Sequence, residues 1–161
     1  MTVRKAGAAP RKRRTPSSSV SGAALDFMSA LWALDHALRS RSKRMRREVG
    51  VTGPQRLVLR LAGKAPGISA GELAEALHVH PSTLTGVLAR LQKRRLLVRA
   101  TDPSDGRRSV LRLTERGRGF DKMRSGTVEA AVLRVLSSMH ERDVKAARRV
   151  LAVLVRELEA E

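Results

Sequence analysis

The sequence predicts a mostly α-helical chain with a small β-hairpin, an α+β fold. Three observations support this prediction. Apolar residues recur at helical spacing along most of the chain. The stretch from Ser69 to Leu91 fits two short helices separated by a tight turn. Two β-prone runs, 97–101 and 109–113, flank turn-forming residues that begin at Asp102.

The first helix of the pair begins with a capping box. The Ser69 hydroxyl can accept a free amide of the first turn while the Glu72 carboxylate reaches back. Leu73, Ala74 and Leu77 then form an apolar face at helical spacing. A helix this short needs a partner to bury that face.

The partner is predicted to begin at Pro81, since proline suits a first helical position. Its core stripe is Leu84, Val87, Leu88 and Leu91. The opposite face starts with small and hydroxyl residues and ends with cations: Ser82, Thr83, Thr85, Gly86, Ala89, Arg90 and Lys93. A helix entering a DNA major groove needs this arrangement, although a solvated amphipathic helix shows it too.

The predicted hairpin carries arginines at its tip. Arg107 and Arg108 follow the turn, and Asp105 is near enough in sequence to hold one guanidinium. An arginine on a projecting ribbon suits the minor groove, where the negative potential is strong. The hairpin therefore favours DNA binding over a merely solvated helix.

Further helices are predicted before the helix pair and after the hairpin. One runs from Ser21, with Leu25, Met28 and Trp32 among its apolar residues, into a run of six cations between Arg39 and Arg47. Thr52 and Gln55 form a second capping box for the next helix. After the hairpin, Thr114 can cap a helix that continues to about Leu136.

The last helix is predicted to start at a third capping box, Ser138 to Glu141. Its apolar residues follow a heptad seam: Val144, Ala147, Leu151, Leu154 and Leu158. Packing on the chain's own core would bury part of that seam. Together with Leu25 and Met28 of the first helix, the seam predicts a homodimer.

These residues resemble the MarR family of winged helix-turn-helix transcriptional regulators over roughly residues 22–160. The best match is the run Asp102-Pro103-Ser104-Asp105-Gly106-Arg107-Arg108, followed by Leu111 to Gly117. Val51 to Leu59, Glu72-Leu73-Ala74 and Ser82 to Thr85 with Leu88, Arg90 and Leu91 match as well. The resemblance implies a winged DNA-binding lobe and a helical dimerisation lobe. It departs at Gly86, where many members have a larger polar or basic residue, and at Arg95, where the family usually has glycine.

Family members commonly bind small, often phenolic, anions in a cleft between the dimer helices and the winged domain. The resemblance therefore implies an effector site, for which Phe27, Trp32 and His36 are the candidate lining residues. His78 and His80 precede the second helix of the pair, and a turn histidine near a phosphate is favoured over a zinc ligand there.

The composition of the chain limits the classes of function that the protein can have. The net charge is +18, with 26 arginines and 7 lysines, which favours a polyanionic partner. The sequence has no cysteine, so disulfides and thiol chemistry are excluded. It contains no catalytic motif, phosphate loop or metal-ligand cluster, so we expect neither an enzyme nor a cofactor. With no long apolar run or signal peptide, we expect a cytoplasmic, nucleoid-associated protein without membrane contact.

Four segments are predicted: a disordered basic arm (1–19), a dimerisation helix (20–49), a winged helix-turn-helix DNA-binding domain (50–114) and C-terminal dimerisation helices (115–161). The predicted function is a homodimeric, sequence-specific regulator of transcription, a repressor, on a pseudo-palindromic duplex site. The alternative is an architectural protein that coats DNA with little sequence preference. The predicted DNA contacts are Ser82, Thr83, Thr85, Arg90, Lys93, Arg94, Asp105, Arg107 and Arg108.

Overall fold

The computed structural model describes residues 16–160, with side chains from residue 20 onward. Seven helices and two strands are found in this range. In chain order they are α1 (Pro16–Glu48), α2 (Gly53–Lys64), α3 (Ala70–Leu77), α4 (Pro81–Lys93), β1 (Leu97–Thr101), β2 (Ser109–Leu113), α5 (Glu115–Lys122), α6 (Val128–Leu136) and α7 (Glu141–Glu159). The chain divides within α1, after Ala37, into two compact units.

The second unit, from Leu38 onward, contains the hydrophobic core. Buried leucines of α3 and α4 pack with α2 and with the first residue of β1, around Leu59, Leu73, Leu88 and Leu97. Strand β1 pairs antiparallel with β2, and Leu97 lies opposite Leu113. The Leu111 amide donates to the Ile68 carbonyl at 2.8 Å, which fastens the hairpin beside α3. The result is a winged helix-turn-helix lobe, as predicted.

The local signals at two helix starts are confirmed. Thr52 caps α2 and Ser69 caps α3, each as a complete capping box with Gln55 and Glu72 respectively. Proline begins α4 as predicted. These motifs depend on contacts three residues apart, so the sequence can predict them without knowledge of the tertiary structure.

The predicted boundary of the basic arm is wrong at its end. Residues 16–19 belong to α1, which begins at Pro16 rather than Ser21, because proline and the serines that follow it fit a first helical turn. The remainder of the arm, residues 1–15, lies outside the described residues.

The predicted helix from Thr114 to Leu136 is two helices. Thr114 caps α5 as expected, but α5 ends at Lys122. Gly126 has a φ of 72°, which a helix cannot continue through, and Thr127 then caps α6. Apolar spacing alone conceals this break because Phe120 and Val128 both contact the core.

The third predicted capping box is also wrong. His140 is the residue before α7, and it forms no capping bond through its side chain. The Ser138 hydroxyl instead donates to the Val135 carbonyl at 2.8 Å, at the end of the preceding helix. Helix α7 nevertheless spans the whole predicted heptad seam. Within the described residues, no helix is long and apolar enough to cross a membrane.

Candidate nucleic-acid interface

The turn between α3 and α4 sets the position of the reading helix, α4. His78 ends α3 in a left-handed conformation, with φ 51° and ψ 50°. His80 then precedes α4, where its Nδ1 accepts from the Ser82 amide at 3.3 Å and lies 2.8 Å from the Ser82 hydroxyl. His80 is therefore a capping residue, and no metal-binding cluster of acids and histidines exists among the described residues.

Helix α4 buries its leucine stripe and leaves the predicted polar face exposed. Ser82, Thr85 and Arg90 are all exposed. The Thr85 hydroxyl donates to the Pro81 carbonyl at 2.9 Å, so its oxygen remains an acceptor on the outer face. A Cβ added at Gly86 would lie 3.7 Å from Arg90 Nη2. That distance is an ordinary van der Waals contact, so a small side chain would also fit beside the Arg90 guanidinium.

Backbone and carboxylate contacts order the wing, the turn 102–108 between β1 and β2. The Asp102 amide donates to the Arg108 carbonyl at 2.8 Å, and Asp102 Oδ1 accepts from the Ser104 amide at 3.0 Å. This backbone hydrogen bond from Ser104 is the main cause that lowers the pKa of Asp102. Asp105 Oδ1 accepts from the Arg107 amide at 3.0 Å. Asp105 thus positions Arg107 through the backbone and not, as expected, through the guanidinium.

The two wing arginines differ in their contacts. The Arg107 side chain is exposed and makes no hydrogen bond or ion pair within the described residues. Arg108 Nη2 instead lies 2.5 and 2.6 Å from the two Glu72 carboxylate oxygens, and Nη1 lies 3.6 Å from Asp102. Glu72, whose pKa is lowered mainly by its hydrogen bond from the Ser69 amide, already caps α3. Arg108 therefore ties the wing to α3, and the expectation of a free cation for phosphate needs correction.

A basic cleft lies beside the end of α4. Its volume is about 450 Å³, and it is lined by Gly50, Thr52 and Gln55 together with four cations, Arg46, Arg90, Lys93 and Arg94. Arg94 is partly buried because it donates to the Gly50 carbonyl and lies 5.9 Å from the Phe120 ring centroid. The sequence predicts a DNA contact for Arg94, and this placement gives its guanidinium a partner within the lobe. In the sequence, nothing distinguishes Arg46 from the other five cations between Arg39 and Arg47. In the structure, Arg46 lines this cleft.

Arg56 is a buried link between helices that the sequence did not reveal. Its side chain is 1% exposed. The two Nη atoms donate to the carbonyls of Phe120, Asp121 and Met123 at the end of α5, and Nε lies 2.9 Å from Glu129 Oε1 on α6. Burial lowers the pKa of Arg56. A charged residue within a helix is expected in solvent, so no sequence signal marks this link between α2, α5 and α6.

An apolar cavity of about 580 Å³ lies next to α4. Its walls come from the end of α1, from α2, from α3 and α4 with the turn between them, and from α6. The lining residues include Leu38, Leu57, Thr83, Val87, Glu129 and Val132. None of the predicted effector residues, Phe27, Trp32 and His36, is in its lining, and their role in a dimer cleft stays a prediction. The Trp32 side chain is 81% exposed.

Comparisons with known proteins agree with this architecture. Residues 49–108 match the model of the MarR family. The HTH-type transcriptional repressor Rv2887 of Mycobacterium tuberculosis is 33% identical over 106 residues, which cover 66% of this chain and 76% of that protein. The HTH-type transcriptional repressor MdtR of Bacillus subtilis is 28% identical over 137 residues, covering 84% and 88% respectively.

A solved structure with a similar fold extends the comparison. CouR from Rhodococcus jostii RHA1, crystallised with p-coumaroyl-CoA, superposes with a TM-score of 0.67 and 26% identity. The match covers 81% of this chain and 92% of CouR. A reading helix with an exposed polar face, an ordered wing and these relatives lead to one conclusion. The chain belongs to the MarR family of DNA-binding transcriptional regulators.

Proposed function

We propose that the protein is a homodimeric transcriptional repressor that reads duplex DNA with α4 and the wing and is released by a small-molecule effector. The single observation that carries the proposal is the contrast at the wing. Arg108 is bound to Glu72, while the neighbouring Arg107 is exposed with no partner among the described residues. A fixed wing with one free arginine at its tip suits insertion into a minor groove.

In this proposal α4 enters the major groove. Ser82, Thr83, Thr85 and Arg90 contact base edges or the adjacent phosphates, since all four are exposed on this helix. The basic cleft beside the end of α4 receives a backbone phosphate. Arg46 and Lys93 supply its charge, because neither has an ion-pair partner among the described residues. Arg94 acts indirectly by fixing the cleft wall.

The homodimer is supported by apolar faces that one chain leaves open. Leu25 and Met28 of α1 are exposed, and so are Leu151 and Leu158 of α7, with Leu158 at 73%. A second copy would bury such surface, with Val144, Ala147 and Leu154 completing the α7 seam. A two-fold dimer would place two reading helices in successive major grooves about 34 Å apart, on half-sites separated by ~10 bp.

The effector is proposed to occupy the apolar cavity. Its walls include Thr83 and Val87 of α4, so an occupant would contact the reading helix directly. A cavity of about 580 Å³ is in the range that small-molecule sites occupy. The relative CouR was crystallised with p-coumaroyl-CoA, which supports ligand binding by this architecture.

Selection from a random duplex library tests the regulator function. The full chain is incubated with the library at about 150 mM salt with excess competitor DNA, conditions that weaken purely electrostatic binding. We expect an enriched inverted repeat with half-sites about one helical turn apart. Retention of DNA without an enriched motif would overturn the proposal in favour of the architectural alternative.

Replacing Arg107 tests the wing. Arg107→Ala should weaken binding to the selected site by ~1–3 kcal/mol, because the minor-groove cation is lost. Arg142→Ala on α7 is the matched control, since it lowers the net charge equally on a different element. Fluorescence anisotropy titrations measure both variants. Equal affinities for the two would remove the wing from the mechanism.

A further inference from the structure

The apolar cavity carries one ionisable side chain among the described residues that line it. That residue is Glu129, at the start of α6, and the other polar side chains of the lining are the hydroxyls of Ser42 and Thr83. No lysine or arginine lines the cavity. An anionic ligand would therefore find no cationic partner in the lining, and the one charged group it met would be a carboxylate.

The two oxygens of Glu129 are placed differently. Oε1 lies 2.9 Å from Arg56 Nε and 3.8 Å from Arg60 Nε. Oε2 makes no hydrogen bond or ion pair with any described residue, although the side chain is only 27% exposed. An ionised carboxylate oxygen only accepts hydrogen bonds, so a ligand group that binds Oε2 is a hydrogen-bond donor. A protonated amine is the donor that a carboxylate binds most strongly.

From these contacts we infer that the effector is a lipophilic amine, protonated at neutral pH, whose ammonium group binds Glu129 Oε2 while its apolar body fills the cavity. The inference rests on the proposed effector function of this cavity. It differs from the phenolic anion that the family resemblance implies, because the one charged group in the lining is a carboxylate and the arginines paired with it lie outside the lining.

Glu129 also connects the cavity to the rest of the lobe. Through Arg56 it is linked to α2 and to the carbonyls at the end of α5. A ligand ammonium would compete with Arg56 and Arg60 for the same carboxylate, while the ligand body presses on Thr83 and Val87 of α4. The ligand thereby favours an arrangement of α6 and α4 that differs from the free one, which is what release from DNA requires.

The charge preference can be measured with three ligands that share one skeleton. 2-Naphthylmethylamine, 2-naphthylmethanol and 2-naphthoic acid are titrated into the full-length protein by calorimetry at pH 7. We expect the amine to bind at least about tenfold more tightly than the acid, a difference worth ~1.4 kcal/mol, with the alcohol between them. This comparison needs no variant. An acid that binds as tightly as the amine overturns the inference, as does the absence of binding by all three.

Glu129→Gln tests the residue itself. The amide keeps an oxygen for Arg56 but removes the charge, so the preference for the amine should fall to less than about threefold. Glu75→Gln on α3 makes the same chemical change away from the cavity lining and should leave the preference unchanged. If the preference persists in Glu129→Gln, Glu129 does not read the ligand.

The effect of the ligand on DNA affinity is measured with the duplex selected from the random library. The amine should lower the affinity of the wild-type protein for this DNA by about tenfold or more, and the affinity of Glu129→Gln by much less. Binding of the amine without loss of DNA affinity would overturn the effector role. DNA binding without ligand is recorded first, so a failure of the regulator function is distinguished from a failure of this inference.

Discussion

The winged lobe and the two C-terminal helices differ in how much of their apolar surface is buried. The lobe buries thirteen apolar residues in one cluster that joins α2, α3, α4 and both strands. Helices α6 and α7 have no buried residue, although both are strongly periodic. Amphipathic spacing therefore predicts that a helix forms, but not where its apolar face is buried. The lobe is stabilised within one chain, whereas these two helices leave most of their apolar surface uncovered, as the proposed homodimer requires.

The largest predicted effect lies in the lobe, at Gly117. A Cβ at this position would overlap the Leu96 carbonyl oxygen, and backbone cannot move aside as a side chain would. Gly117→Ala should lower the free energy of unfolding by about 4 kcal/mol or more, measured by urea titration. Gly119→Ala is the control on the same helix, since nothing lies within 4 Å of its Cβ position. Similar stability for the two variants would contradict the close approach of Gly117 to the Leu96 carbonyl.

The next effect concerns the C-terminal helices. Leu151→Asp places a charge in the α7 seam and should raise the dissociation constant of the proposed homodimer about 100-fold, or ~3 kcal/mol. Sedimentation equilibrium measures it. Ala152→Asp adds the same residue on the polar side of α7 and should change the dimer little. A Leu151→Asp protein that remains as dimeric as the wild type would show that α7 buries its face elsewhere.

A smaller effect is expected at Arg95, which has a φ of 53°. Glycine adopts this left-handed conformation without the steric cost that a Cβ brings. Arg95→Gly should therefore stabilise the lobe by ~1 kcal/mol in thermal unfolding. Arg95→Ala removes the same charge but retains the strain, so it should give no such gain. Equal stability of the two variants would contradict a strained backbone at this residue.

The smallest effect is the pH dependence of the wing contact. The pKa of Glu72 is lowered in the folded protein, mainly by the Ser69 amide and further by Arg108. A lowered pKa means that the stabilisation is complete above the usual value near 4.5 and is lost as the pH falls through the folded value. Glu72→Gln should therefore lower the melting temperature slightly at pH 6, and the difference should shrink as the pH falls below 4.5. A difference that grows on acidification would reverse this assignment.

The sequence predicted the features of the site that depend on neighbours along the chain. The capping boxes at Thr52 and Ser69 and the strand pairing around the wing are contacts between residues close in sequence. The exposed face of α4 follows from helical spacing and the positions of Leu84, Leu88 and Leu91. The sequence also predicts the wing motif that ends in Arg107 and Arg108. It does not predict that Arg108 binds Glu72 while Arg107 stays exposed.

The errors share one cause, which is contact between distant residues. Glu72 and Arg108 are 36 positions apart, and Arg94 and Gly50 are 44 apart. The break before α6 becomes favourable because Arg56 binds the carbonyls that the end of α5 leaves free. No local pattern encodes such pairs.

Sequence alone determined the helix-turn-helix, the hairpin and the basic character of the chain, because capping, periodicity and charge act over a few residues. Tertiary structure decided which cations remain available to DNA and which, like Arg94 and Arg108, are held within the lobe. It also formed the cavity and placed Glu129 in its wall. These outcomes depend on desolvation and on long-range pairing, which exist only once the elements have packed together.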